Sequence, residues 1–219
     1  MQAAQLLERL LTCISDDIVP LTARRIADGR GKVFGAAILR KSDLSLVIAE
    51  CNIDVECPLW HGETYCIKRF YDLPPTERPS PKDCFFLTTH EPCSLCLSAI
   101  TWSGFDNFYY FFTHEESRDN FDDPYDMKVI QSVFKTPVEG EPNETRERHA
   151  LYNRKNEFFE AISLDGLLGD VEDAYSRERL AKKMTGLRVA YVDLVEKQRK
   201  NKAGFALTKT SLHDAEPGK

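Results

Sequence analysis

Long apolar runs are missing from this 219-residue chain. No stretch reaches the roughly 18 apolar residues that a membrane-spanning helix needs, so no membrane association is expected. Positive charge is also short: 29 Lys and Arg stand against 35 Asp and Glu, a formal net charge of −6. That excludes a chain that coats nucleic acid through general basicity, though not one with a local basic stripe. The opening segment MQAAQLLERLLTCISDDIV lacks a basic leader and places acids within its apolar stretch. It does not read as a secretory signal. No internal repeat occurs, and 42% hydrophobic with 29% charged residues excludes wholesale disorder.

What is present begins with seven cysteines, at 13, 51, 57, 66, 84, 93 and 96. An odd number without an export signal predicts reduced thiols in a reducing, cytoplasmic setting. Most are expected to be buried as small hydrophobes. Only Cys93 and Cys96 are spaced to act together. Around them the chain alternates strands and helices. Apolar positions at helical spacing over 3–28 predict a helix bent or broken at Pro20. The runs 33–39 and 44–51 read as a hairpin, 62–73 as a helix ending at Pro74-Pro75, 83–89 as a strand, 93–102 as a helix and 107–113 as an aromatic-rich strand. YDMKVIQSVF after Pro124 and residues 171–200 are helical in pattern, with a polar link over 136–148. This order predicts an α/β fold: a three-layer α/β/α sandwich with a mixed, mostly parallel central sheet. Residues 1–136 are expected to form the main domain, 137–202 a mostly helical extension packing on it, and 203–219 a mobile tail.

The chemistry sits in His61-Gly62-Glu63 and Pro92-Cys93-Ser94-Leu95-Cys96. Two cysteines at i and i+3 share one face of a helical turn, so both sulfurs can meet one ion. Thiolate and imidazole together suit Zn²⁺, and three protein ligands leave a fourth position open, as catalytic rather than structural sites do. His61 and Glu63, two residues apart, can converge only where a helix begins. Glu63 is then placed to exchange protons with water without ligating the metal. Two thiolates offset the charge of the zinc ion. The partial positive charge at the N-termini of both predicted helices works the other way and favours developing negative charge.

H-x-E with P-C-x-x-C is the signature of zinc deaminases, and over roughly 30–135 the sequence resembles the cytidine/deoxycytidylate deaminase superfamily. Phe34-Gly35-Ala36-Ala37-Ile38 resembles the family's F-G-A strand. Thr88-Thr89-His90-Glu91-Pro92-Cys93 resembles T-T-x-E-P-C, and Leu97-Ser98-Ala99-Ile100 the small-residue helix after it. The resemblance implies that His61, Cys93 and Cys96 bind zinc, that Glu63 shuttles protons, and that water displaces ammonia from an amino-bearing ring carbon. It also implies a homodimer and places Asn52 on the substrate. Trp102 and Phe121-Asp122-Asp123 resemble guanine deaminases of this fold, whereas H-G-E resembles cytosine deaminases. The expected substrate is therefore a small nucleobase or nucleoside, with a guanine-like purine ahead of cytosine or cytidine.

Plainer readings stand beside these. A lone C-x-x-C is more often a redox pair or half of a structural zinc site, and here the upstream H-x-E selects the catalytic reading. Asn52 could cap a turn, Trp102 could be core, and Asp122 and Asp123 could cap a helix before Pro124. His90, His114 and His149 are expected to have no metal role, and Cys66 to lie buried behind the site. Nine bases against three acids over 177–202 read as a solvated helix face. The rival reading is a contact for nucleic acid, as in a transfer-RNA adenosine deaminase or a non-catalytic RNA-binding subunit of one.

Overall fold

Residues 35–40 and 46–51 are apolar and joined by a short polar segment, so they close on each other. In the computed structural model, which describes residues 2–134, 140, 142 and 150–204, they form β1 (Gly35–Arg40) and β2 (Leu46–Cys51), paired antiparallel. Asp43 shapes the turn, accepting hydrogen bonds from the backbone and hydroxyl of Ser45 at 2.9 and 2.7 Å, with Leu44 at a left-handed φ of 60°. β3 (Cys84–His90) pairs antiparallel with the other edge of β1. β4 (Asn107–Phe112) and β5 (Glu160–Ser163) then add in parallel, giving the order β2-β1-β3-β4-β5. Two of the four pairings are antiparallel, so the sheet is evenly mixed rather than mostly parallel. The β1–β2 turn is too short for the crossover that a parallel pair requires.

Strand alternation divides the core into two layers. Leu39, Leu87 and Phe111 face one side with Leu7, Leu11 and Leu180; Ile38, Phe86 and Phe108 face the other with Ile67, Phe70 and Ile100. The first side is covered by α1 (Ala3–Thr12), α2 (Val19–Ala27), α7 (Leu164–Gly169) and α8 (Ala174–Gly204). The second is covered by α3 (Gly62–Asp72) and α4 (Ser94–Trp102). Each such fully buried side chain contributes about 1.5–3 kcal/mol. β4 is buried along its whole length, which explains its uninterrupted run NFYYFF.

The N-terminal helix does not break at Pro20. A π turn at Cys13–Ile18 links α1 to α2, and Pro20 lies in the first turn of α2. The wider turn accommodates a ring that lacks an N–H and crowds the preceding carbonyls. Helix α5 (His114–Phe121) begins with a reciprocal cap. Thr113 Oγ1 accepts from Glu116 N–H at 3.1 Å, and Glu116 Oε2 from Thr113 N–H at 2.9 Å. Helix α6 (Tyr125–Val129) follows and runs into a second π turn at Ile130–Phe134.

The region beyond 136 is not a separate layer. Its β5 extends the sheet, and α8 packs on α1 and α2 through Leu180, Met184, Leu187 and Tyr191. Most of the link 136–148 and, past Gly204, the tail lie outside the described residues. Among the described residues no helix is long and apolar enough to cross a membrane.

Candidate metal and catalytic site

Helices α3 and α4 start side by side at the ends of β2 and β3. His61 and Cys93 occupy the extended position just before each helix, with ψ of 162° and 169°. Cys93 Sγ accepts from the Cys96 N–H at 3.5 Å, which brings both sulfurs to one side of the first turn of α4. His61 Nδ1 lies 3.6 Å from each sulfur. A zinc ion held tetrahedrally at about 2.0–2.1 Å from nitrogen and about 2.3 Å from sulfur sets such a pair roughly 3.6 Å apart. The three donor atoms lie within 4.8 Å of one another, so the set fits zinc.

Gly62 makes this geometry possible. A Cβ there would stand 2.8 Å from Gly35 Cα and 3.1 Å from the Gly35 N and C, so α3 begins directly against β1. Asn52 Oδ1 accepts the Gly62 N–H at 2.6 Å, fixing the start of the helix. Glu63, one residue on, is buried with Oε2 3.4 Å from Cys96 Sγ, while Oε1 accepts from the Thr88 hydroxyl at 3.1 Å.

Charge is concentrated here. Without metal, the hydrogen bond from Cys96 and the neighbouring His61 hold the Cys93 thiol well below its ordinary range, and burial pushes Cys96 up. Burial opposes a charge on His61, but the Cys93 thiolate and Glu63 outweigh it and raise His61 to about 9. Burial, then the Cys93 thiolate, raises Glu63. Asp126 is pushed up to about 8 by burial, reinforced by Cys93 and Asp123. Cysteine ligands bind a metal as thiolates, so a divalent cation bound here displaces any protons these donors carry.

His61, Glu63, Cys93 and Asp126 line a cleft of about 20 Å³ together with Phe34, Asn52, His90, Glu91 and Asp123. Asn52 and Asp123 are thus beside the metal donors. Asp122 is not: it ends α5 in a left-handed conformation (φ 57°) and lines an adjoining chamber instead. Neither aspartate caps a helix before Pro124, because Pro124 itself holds the N-cap position of α6. Trp102 is 91% exposed at the last turn of α4 and lines neither space. His90 and His114 stand outside the donor set, and His149 lies outside the described residues. Cys66 is buried below the site, and every described cysteine is free.

Sequence reasoning did not single out Asp126 or Glu91 as site residues. The closely spaced acids of Phe121-Asp122-Asp123-Pro124-Tyr125-Asp126 were the available signal for Asp126. Glu91 accepts from Tyr152 at 2.7 Å, from Arg154 at 3.0 Å and from the His114 N–H at 3.1 Å. The region beyond 136 therefore braces the loop carrying Cys93.

His90 packs among Phe34, Phe112, Phe121 and Tyr191. Burial lowers its pKa to about 3, despite nearby Asp123. An unfolded histidine titrates near 6.5. Below that value the unfolded chain takes up a proton that the folded chain refuses. This contribution to stability is complete above about pH 6.5 and is lost as pH falls toward 3. Between about pH 7.5 and about pH 5, urea unfolding should show a loss of about 2 kcal/mol that His90→Gln removes. An unchanged pH slope in the variant would refute the assignment.

Residues 17–112 match the cytidine and deoxycytidylate deaminase zinc-binding region. None of the curated proteins matches the chain. Among solved structures, a guanine deaminase from Nitrosomonas europaea is similar at 19% identity, with 77% of this chain and 81% of that one covered and a TM-score of 0.44. A guanine deaminase from Bacillus subtilis is 22% identical over 73% of this chain and all of its own, with a TM-score of 0.47. A tRNA:A34 deaminase is 19% identical over 66% and 93%, with a TM-score of 0.41. Residues 17–112, which match that zinc-binding region, carry the His61, Cys93 and Cys96 donor set that fits zinc.

Proposed function

We propose that the chain hydrolyses the amino group of a nucleobase or nucleoside, with guanine-like purines ahead of cytosine. The observation that carries this reading is the acidity of the cleft: Asp123 and Asp126 face the same space as Glu63 and the metal donors. Their carboxyl oxygens match a base edge rich in N–H donors, and a guanine-like ring carries an N–H beside its amino group. Beside its amino group cytosine offers a ring nitrogen that accepts rather than an N–H.

Zinc, when held by His61, Cys93 and Cys96, supplies Lewis acidity toward water. Glu63 takes a proton from the attacking water and returns it to the departing nitrogen, so the ring carbon exchanges C–N for C–O and ammonia leaves. Asn52 orients the base beside the start of α3, and Asp123 reads its N–H edge. Trp102 has no part in the cleft of a single chain. With Leu95, seven residues away on α4 and also exposed, it offers an apolar face for the expected homodimer, which sedimentation at rising concentration reads.

The RNA alternative loses its main support. Of the nine bases over 177–202, five are engaged within the chain: Arg179 and Lys183 with Glu8, Arg188 with Glu116 and Asp165, Lys182 with Glu178, and Arg177 with backbone carbonyls. Ammonia release from zinc-loaded protein should be fastest with guanine-type substrates in a panel of bases, nucleosides, nucleotides and transfer RNA. Release from none of them, with salt-sensitive RNA binding, would establish the non-catalytic reading instead.

A further inference from the structure

Glu91 stands two residues before Cys93, and its side chain is 0% exposed. A carboxylate so deeply buried needs hydrogen-bond donors on both oxygens. Oε1 accepts from the Tyr152 hydroxyl at 2.7 Å and from Arg154 at 3.0 Å, while Oε2 accepts from the His114 N–H at 3.1 Å. The Glu91 N–H donates to the Phe112 carbonyl at 2.8 Å. The His114 and Phe112 bonds tie Glu91 to the start of α5 and the end of β4. The Tyr152 and Arg154 bonds reach it from well outside the matched residues 17–112.

This placement makes Glu91 a joint between two walls of the cleft. On one side it leads through Pro92 into the metal donor Cys93. On the other it holds the first N–H of α5, the helix that leads to Asp123 and Asp126. Tyr152 and Arg154 are themselves fixed. The Arg154 carbonyl accepts from the Ala161 N–H of β5 at 2.9 Å, and its guanidinium lies 5.6 Å from the centroid of the Tyr110 ring. The Tyr152 ring lies 6.5 Å from that of Phe159, which in turn packs at 5.3 Å on Phe108. The segment is anchored on the sheet, and Glu91 is anchored on the segment.

We infer that Tyr152 and Arg154 are positioning residues for the zinc site, fixing through Glu91 both the Cys93 sulfur and the start of α5. The inference rests on zinc held by His61, Cys93 and Cys96, and not on which compound is deaminated. Groups that orient a metal ligand from behind typically change metal affinity about 10- to 100-fold when replaced. The test is zinc affinity, by competition with a chromophoric chelator, together with the absorption spectrum of the Co²⁺-substituted chain. Tyr152→Phe keeps the ring and removes only the hydroxyl. It should weaken zinc about 10-fold and alter the thiolate-to-cobalt bands. Arg154→Gln should weaken zinc about 3-fold, because the guanidinium is 55% exposed and water screens its pairing. That exposure keeps the test valid if Tyr152→Phe loosens the segment.

Glu91→Gln should itself weaken zinc at least about 10-fold, since the amide turns N–H donors toward groups that already donate. In that background Tyr152→Phe should add less than about 2-fold, because Tyr152 acts through Glu91. Tyr175→Phe, on an exposed tyrosine of α8, is the control and should change neither readout. Unchanged zinc affinity and cobalt bands in Tyr152→Phe and Arg154→Gln would overturn the inference, even if thermal stability fell. Full additivity of Tyr152→Phe with Glu91→Gln would overturn it too. A wild-type chain that binds neither metal would overturn both the inference and the zinc-dependent reaction. The expected losses of affinity in a chain that releases no ammonia would uphold the inference and overturn the deaminase reading alone.

Discussion

Replacing Glu63 by glutamine should lower kcat about 10³- to 10⁴-fold while zinc content and thermal stability stay at wild-type values. Glutamine keeps the shape of the side chain and can still accept the Thr88 hydroxyl at the position now occupied by Oε1. What it loses is the ability to take and return a proton. A single proton-transfer group typically contributes 10²- to 10⁴-fold, and in the proposed reaction Glu63 serves both the attack of water and the departure of ammonia, so the upper part of that range applies. The corresponding rise in barrier is about 4–5 kcal/mol. Burial, then the neighbouring Cys93 thiolate, raises the carboxyl above its ordinary range, which strengthens its hold on a transferred proton. Metal analysis and an ammonia assay on one preparation decide the matter. Activity within 10-fold of wild type at full zinc occupancy would remove Glu63 from the mechanism.

Gly62→Ala should cost about 3 kcal/mol of unfolding free energy, the top of the usual range for an overpacked site, and should weaken zinc binding with it. The added Cβ would meet three backbone atoms of Gly35 at 2.8–3.1 Å. No side chain can rotate away, and β1 is held on both edges by β2 and β3. The start of α3 must therefore back off from β1, carrying His61 and Glu63 on either side of the substituted residue. Gly186→Ala is the matched control: a Cβ there meets nothing within 4 Å, and alanine in a helix interior gains about 0.5–1 kcal/mol. Denaturant unfolding of the two variants separates the effects. A Gly62→Ala chain as stable as wild type, with unchanged zinc affinity, would show that the contact can relax.

The amino-acid sequence by itself determined the metal chemistry and the elements that carry it. Cys93 and Cys96 share a face because one helical turn fixes i and i+3, and His61 with Glu63 can converge only at a helix start. Those are short-range facts. The runs 33–39 and 107–113 likewise announced β1 and β4, since strands buried on both faces must be apolar throughout. The tertiary structure alone decided the rest. β5 is four residues long, and its pairing with β4 joins segments about 50 residues apart, which no local pattern encodes. Asp126 gains its place in the cleft only through the packing of α5 and α6. The basic run of α8 looks uniform in sequence, yet Arg179 and Lys183 are spent on Glu8 at the far end of the chain while Arg199 is left on a chamber beside the cleft. Ligand spacing within a helical turn is set by backbone geometry. Which charges cancel and which are left without a partner is set by what distant segments bring alongside them.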